Sequence, residues 1–154
     1  MKVFVDADNC DKDSRKIILK ACTRENVECY LVANREIPIH TQNVEFKMTV
    51  CSAEKDSADN FIVENACEND IAVTRDILLA KRLIEKNVLA MNDKGRLFTK
   101  ENIEDLIEQR ELSLQMKSLG ISNGINSWKS GQKEAGEFSK NFNENLLRLK
   151  KITS

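Results

Sequence analysis

The stretch KVFVDADNCD, Lys2 to Asp11, decides the fold that we predict for this chain. Its apolar start, Val3 to Val5, indicates a short buried strand. Asp6, Asp8 and Asp11 then fall within six positions. Carboxylates that are brought together repel one another, and burying them costs free energy unless a cation or hydrogen-bond donors compensate. The stretch therefore predicts either a site for a hard divalent cation such as Mg²⁺ or Mn²⁺, or a helix cap beside a structural hydrogen bond.

The composition fits one globular unit of 154 residues, of which 41% are apolar. The 24 basic and 25 acidic residues give a net charge of −1, so the overall charge neither favours nor excludes a nucleic-acid partner. No apolar run has the length of a membrane span, and no signal-peptide pattern precedes the first strand. Five scattered cysteines without a CxxC pair disfavour structural zinc and indicate a cytoplasmic protein.

Strands alternate with helices from residue 2 to about residue 92, which predicts a largely parallel sheet with helices on both faces. The fold class is therefore α/β, with three layers. We predict strands at residues 2–7, 28–33, 44–50, 71–74 and 88–91, a hairpin arm at 96–99, a loop at 34–43, and helices beginning near residue 13 and spanning about 56–67, 77–86, 99–120 and 133–151.

The composition changes after Gly120, where a segment rich in Ser, Asn and Gly predicts a linker. We therefore divide the chain into a domain at 1–120 and a tail at 121–154. The tail has six basic and three acidic residues, and with Trp128 it could contact RNA by charge and stacking. Its stripe of Phe and Leu residues is instead typical of a packing face, against the body or against a second copy of the chain.

Ligands of parallel α/β sheets bind at the carboxyl ends of the strands. Four separate segments place oxygen-bearing side chains at this edge: Asp6 with Asp8, Asp56 with Asp59, Asp76, and Asn92. One aspartate at a helix start is usually a cap, but four converging segments favour a shared site. Oxygen donors of this kind fit Mg²⁺ or Mn²⁺, which can activate water and stabilise charge on a phosphate. Arg75, next to Asp76, is predicted to contact the substrate backbone.

Three spaced motifs resemble the YaiI/YqxD family of uncharacterised bacterial proteins: VDADNC at 5–10, DSADNFIVENACENDIAVTRDILLAKRLIEK at 56–86, and LAMNDKGRLFTKENI at 89–103. That family is placed among the PIN-like domains, whose better-known relatives are metal-dependent ribonucleases. The resemblance covers about residues 2–120 and implies a PIN-like domain. It implies a first acidic motif at Asp6 and Asp8, a second at Asp56, Asp59 and Asn60, a third at Asp76, and an Asn-x-x-Gly turn at Asn92.

We therefore predict a metal-dependent nuclease that acts on RNA. The predicted catalytic residues are Asp6, Asp8, Asp59 and Asp76; the metal ligands are these four and Asp56; the substrate-binding residues are Asn9, Asn60, Arg75 and Asn92. One alternative is a PIN-like module that binds RNA or a protein without turnover. A second is a haloacid dehalogenase-like phosphatase, because those enzymes also place a DxD motif after the first strand and use its first aspartate as nucleophile.

Overall fold

The computed structural model describes residues 1–120 and 132–153. A six-stranded sheet has the order β3-β2-β1-β4-β5-β6, in which β6 is antiparallel to β5 and all other neighbours are parallel. The strands are β1 Lys2–Asp6, β2 Glu28–Ala33, β3 Lys47–Val50, β4 Ile71–Val73, β5 Leu89–Met91 and β6 Leu97–Phe98. The helices are α1 Lys12–Arg24, α2 Ser57–Asn65, α3 Ile77–Glu85, α4 Ile103–Ser118 and α5 Gln132–Thr153.

The predicted α/β class with a mainly parallel sheet is confirmed, and the differences lie at element boundaries. Helix α4 begins at Ile103 rather than near Thr99. The turn before it is closed by a reciprocal pair of hydrogen bonds between Thr99 and Asn102, the pattern of a helix capping box. Strand β3 lies at the edge of the sheet and begins at Lys47, three residues later than predicted. The predicted linker after Gly120 lies outside the described residues.

Side-chain alternation along the strands builds two hydrophobic cores, one on each face of the sheet. Val3 and Val5 belong to the core beneath α1 and α5, whereas Phe4 belongs to the core beneath α2, α3 and α4. This gives the three-layer arrangement, with a helix layer on each side of the sheet. The same alternation decides which face each polar residue at the strand ends occupies.

Helix α5 contributes its apolar stripe to the core on the α1 side. Phe138, Phe142 and Leu146 are fully buried there, and Leu149 is 4% exposed. Burying a side chain of this size contributes about 1.5–3 kcal/mol. The stripe therefore packs against the body of the protein, which was one of the two options left open by its sequence. The division of the chain at residue 120 stays a prediction.

The turn between β5 and β6 contacts α5 closely. Gly95 has φ +93°, and a Cβ atom there would lie 3.0 Å from the Cα of Phe138. The side-chain amide of Asn141 donates to the Gly95 carbonyl at 2.8 Å. Glycine is needed at this position both for its backbone conformation and for space. No described helix has the length and hydrophobicity needed to cross a membrane.

Candidate functional site

Asp6 is the last residue of β1 and lies at the carboxyl edge of the sheet with 2% of its surface exposed. It follows Phe4 by two positions, so it shares the face of the sheet that α2 and α3 cover. Its Oδ2 accepts hydrogen bonds from the Thr74 hydroxyl at 2.7 Å and from the Asn9 side-chain amide at 3.0 Å. Both donors are neutral, so these bonds do not neutralise the charge of the carboxylate.

An open pocket of about 180 Å³ adjoins Asp6 and collects the predicted carboxylates. Its lining comes from the end of β1, the loop after β2, and the starts of α2 and α3. We call it the acidic pocket; its lining residues are Asp6, Asp8, Asn9, Asn34, Asp56, Ala58, Asp59 and Asp76. Within the described chain, five aspartates and no lysine or arginine line it. The pocket therefore offers oxygen ligands and a strongly negative potential.

The pKa values of two carboxyls reflect this concentration of charge. Partial burial, together with the nearby charges of Asp76 and Asp6, raises the pKa of Asp59 to about 7. Burial also raises the pKa of Asp6, although the hydrogen bonds from Thr74 and Asn9 act to lower it. A site in which a carboxyl keeps its proton near neutral pH is short of positive charge.

Asp76 has two roles, since it caps α3 and also lines the acidic pocket. Its Oδ1 accepts the backbone N–H groups of Leu78 at 3.0 Å and Leu79 at 3.2 Å, which would otherwise lack partners in the first helical turn. Its own backbone N–H donates to the hydroxyl oxygen of Thr74 at 3.0 Å. Thr74, which is fully buried, thereby connects Asp76 to Asp6.

Asp8 lies at the exposed rim of the pocket, next to the end of β2. Its Oδ2 accepts the backbone N–H of Asn34 at 3.1 Å. The Nε of Arg35 is 3.5 Å from Oδ1, and the Arg35 side chain is 80% exposed. An ion pair this long and this exposed is weak because water screens it. Asp8 therefore retains most of its negative charge.

The start of α2 brings Asp56 and Asp59 to the pocket. Asp56 has φ 65° and ψ 10°, a left-handed conformation that is uncommon for residues other than glycine. Its side chain makes no capping hydrogen bond, unlike that of Asp76. Ser57 donates to the side-chain oxygen of Asn34 at 2.9 Å and so ties the start of α2 to the loop after β2. Helix α2 begins at Ser57, as predicted.

Two of the predicted substrate-binding residues, Asn60 and Asn92, do not line the acidic pocket. Asn60 is exposed on α2. The side-chain oxygen of Asn92 accepts the backbone N–H groups of Lys94 and Arg96, at 3.0 and 2.9 Å, and so holds the turn between β5 and β6. Asn9 does line the pocket and donates to Asp6.

Arg75 also lies away from the acidic pocket, on the opposite face of the sheet edge. It follows Val73 by two positions, and Val73 belongs to the core on the α1 side. Its Nε and Nη2 are 2.8 and 2.7 Å from one oxygen of Asp93, whose side chain is 1% exposed. The same oxygen accepts the Asp11 backbone N–H at 2.6 Å, and Ser14 donates to the Asp93 carbonyl. We call Asp93, Arg75, Asp11 and Ser14 the Asp93 cluster.

The sequence reading missed Thr74 and Asp93, for different reasons. Thr74 could have been found, because Val5 and Val73 are register partners and the next residues, Asp6 and Thr74, share a face. Asp93 gave no such signal. It lies in a turn, where aspartates are usually exposed, and it is buried by contacts with residues about 80 positions earlier in the chain.

Cys10 lies close to the Asp93 cluster, and it is not activated as a nucleophile. Burial raises the pKa of its thiol well above the usual range, and the negative charge of Asp93 adds to this. A cysteine nucleophile needs the thiolate, which these surroundings disfavour. All five cysteines are free, and Cys22 and Cys29 are buried in the core on the α1 side.

The donor chemistry of the acidic pocket fits a hard divalent cation, because every charged group that lines it is a carboxylate. The carboxylates do not form a ready-made ion site. Among the side chains of residues 1–120 and 136–153, no group of three His, Cys, Asp or Glu is arranged so that it could hold a metal ion. A cation would therefore have to draw the side chains together.

The fold and the acidic pocket together define a class: a parallel α/β protein with clustered aspartates at the carboxyl edge of its sheet. A family model described as "Uncharacterized BCR, YaiI/YqxD family" matches residues 4–148. The chain therefore belongs to the YaiI/YqxD family, as its motifs indicated.

Curated relatives support this membership over most of the chain. A UPF0178 protein of Marinomonas sp. (strain MWYL1) is 42% identical over 124 residues, which cover 80% of this chain and 83% of the relative. A UPF0178 protein of Treponema denticola is 38% identical over 96% of this chain and 92% of the relative. A UPF0178 protein of Psychromonas ingrahamii is 35% identical over 99% of this chain and 100% of the relative. No solved structure matches the chain significantly, so the relation to PIN-like domains stays a prediction.

Proposed function

We propose that this protein hydrolyses phosphodiester bonds in RNA with a divalent cation, Mg²⁺ or Mn²⁺, bound in the acidic pocket. The observation that carries the proposal is the convergence of five aspartates from three separate segments on one pocket, without a cation among the described residues that line it. Keeping such a group of charges together lowers stability in the absence of a ligand. A doubly charged ion is the simplest ligand that would offset the repulsion.

The roles of the individual residues follow from their burial and bonding. Asp6 and Asp76, which are linked through Thr74, would hold the cation from the protein side. A bound cation of this class lowers the pKa of water and stabilises negative charge on a phosphate. Asp59, which lines the same pocket, would accept a proton from an attacking water. Asp8 and Asp56 line the exposed side, where they would complete the ligand set.

Two observations favour this function over the alternatives. A haloacid dehalogenase-like phosphatase would also need a lysine beside its nucleophile Asp6, but no lysine is among the described residues that line the pocket. A module that binds RNA at this pocket without a cation would bring phosphates against five aspartates, which repel them. Both arguments support a cation-dependent reaction on a phosphodiester.

The test is cleavage of end-labelled RNA, single-stranded and structured, with Mn²⁺, with Mg²⁺ and with EDTA. We expect cleavage that requires the cation and that falls at least about 100-fold in Asp6→Asn. The activity of Asp76→Asn should decrease by a similar factor. This variant should still fold, because asparagine is also a good helix cap. Glu108→Gln, an exposed carboxylate on α4, is the matched control and should keep full activity.

Titration of Mn²⁺ by calorimetry provides a readout that does not depend on turnover. Wild type should bind Mn²⁺, and Asp6→Asn should bind it more weakly. Intact RNA in every condition, together with no heat of Mn²⁺ binding, would reject the proposal. RNA binding that persists in EDTA and is unchanged in Asp6→Asn would support the non-catalytic alternative instead.

A further inference from the structure

We infer that Asp93 is a positioning residue that orients Arg75 to bind a substrate phosphate next to the one that is cleaved. The inference rests on the proposed function and deepens it, because it requires a substrate with at least two neighbouring phosphates. It concerns the Asp93 cluster, which lies across the sheet edge from the acidic pocket.

Arg75 faces the other side of the sheet edge, but its two neighbours in the chain contact or line the acidic pocket. Arg75 lies between Thr74, which donates to Asp6, and Asp76, which lines the pocket. All three follow β4 at the carboxyl edge of the sheet. A polynucleotide with one phosphate at the acidic pocket would pass the guanidinium of Arg75 as it continues over the sheet edge.

The hydrogen bonds of Arg75 fix the guanidinium and leave it accessible. Two of its five N–H donors point at one oxygen of Asp93, at 2.7 and 2.8 Å. The Arg75 side chain is nevertheless 52% exposed, whereas that of Asp93 is 1% exposed. An arginine held along one edge by a buried carboxylate is pre-oriented, and less entropy is lost when its other donors bind a phosphate.

The burial of Asp93 is expensive for a residue that only closes a turn. Its second oxygen, Oδ1, is buried and has no hydrogen-bond partner among the described residues. Leaving a charged acceptor in this state costs free energy. The ion pair with Arg75 offsets part of that cost, so the buried charge of Asp93 and the guanidinium of Arg75 hold each other in place.

The experiment compares two RNA substrates that differ in the number of phosphates. A dinucleoside monophosphate has one phosphodiester, whereas a single-stranded decamer has phosphates on both sides of most cleavage points. We expect Arg75→Gln and Asp93→Asn each to raise KM for the decamer about 10-fold with little change in kcat. Neither change should alter cleavage of the dinucleoside monophosphate. Arg75→Lys should recover part of the loss, and Arg110→Gln, an exposed arginine on α4, should have no effect.

Binding of the labelled decamer with Mn²⁺, in protein that carries Asp59→Asn to prevent turnover, is followed by fluorescence anisotropy and tests the arginine contact. The slope of log affinity against log salt should fall by about 0.7 in Arg75→Gln, the value for one phosphate contact on a single strand. An equal increase of KM for both substrates, or an unchanged salt slope, would overturn the inference while the proposed function stands. If wild type cleaves neither substrate but Arg75→Gln still reduces the slope, the phosphate contact stands and the proposed hydrolysis fails.

Discussion

Two buried carboxylates at the same edge of the sheet, Asp6 and Asp93, are held in opposite ways. Asp93 accepts hydrogen bonds from the Nε of Arg75 and from the Asp11 backbone N–H, and the Nη2 of the same guanidinium lies 2.7 Å away. Asp6 accepts bonds from neutral donors, and other carboxylates surround it. Similar burial therefore has different consequences. The charge of Asp93 is balanced by Arg75 within the protein, whereas a bound cation would be needed to balance the charge of Asp6.

This difference indicates which carboxylate stabilises the fold and which reduces its stability. Breaking the interaction between a buried charge and its charged partner destabilises the protein, because a buried charge is then left unbalanced. Removing a buried charge from among like charges relieves their repulsion and so stabilises the protein. Proteins accept such a loss of stability at sites that are needed for function. Substitutions at the two positions should therefore change stability with opposite signs.

The largest effect is expected at Asp93. Asp93→Asn should lower the free energy of unfolding by about 2–3 kcal/mol, because it removes the charge from the hydrogen bonds with Arg75 and with the Asp11 backbone. Urea denaturation at pH 7.5 measures this, with Glu108→Gln as the control that should stay within about 0.5 kcal/mol of wild type. A change as small as that of the control would mean that Arg75 does not balance the charge of Asp93.

A smaller loss is expected at Gly95, which holds the turn that carries Asp93 against α5. Gly95→Ala should destabilise the protein by about 1–2 kcal/mol, since φ is +93° and the new Cβ would crowd the backbone of Phe138. Gly136→Ala on α5 is the matched control: nothing lies within 4 Å of the added Cβ, and alanine favours a helix. Thermal melts of the two variants should therefore shift in opposite directions.

Substitution of Asp6 should change the free energy of unfolding with the opposite sign to substitution of Asp93. Asp6→Asn should raise the free energy of unfolding by about 1 kcal/mol in EDTA, because the side-chain oxygen of asparagine can keep both hydrogen bonds while the charge is lost. Adding Mn²⁺ should stabilise wild type more than the variant, since the ligand binds the folded state. Destabilisation of Asp6→Asn in EDTA would show that the charge of Asp6 is already balanced.

The smallest effect, at Asp59, should depend on pH. Its pKa rises from the ordinary 3.8 to about 7 on folding, so between these values the folded state binds more protons than the unfolded state. The contribution of Asp59 to stability therefore falls as pH rises from about 4 to about 7. Asp59→Asn should raise stability by no more than about 1 kcal/mol at pH 8 in EDTA, because solvent screens this half-exposed group. The gain should shrink toward pH 4, and a gain independent of pH would contradict the raised pKa.

Much of the fold could be predicted because its signals are local. The apolar runs gave β1, β2 and β4 within a residue of their observed ends, and helical spacing gave α3 to within one residue. The predicted start of α4 was wrong because a capped turn from Thr99 to Asn102 precedes the regular helix. A hydrophobic pattern does not show where such a turn ends and the regular helix begins.

The site was predicted in part for a similar reason. Asp6, Asp8, Asp56, Asp59 and Asp76 come together because each follows a strand or starts a helix at one edge of a parallel sheet, which the element order already implies. Arg75 adjoins Asp76 in the chain but occupies the other face, because neighbouring residues at a strand end point to opposite sides. The predicted contact of Arg75 with the substrate backbone would therefore have to be made from that other face, and it stays a prediction.

The sequence by itself determined the alternation of strands and helices and the aspartates that end or cap them, because both depend on short-range periodicity and capping. Tertiary structure alone decided that Asp93 is buried against Arg75 and Asp11, the latter 82 positions earlier in the chain, and that α5 forms a layer of the core. These features depend on how distant segments pack. That packing decides whether a buried carboxylate has a positively charged side chain as its partner, and the residue type alone does not show this.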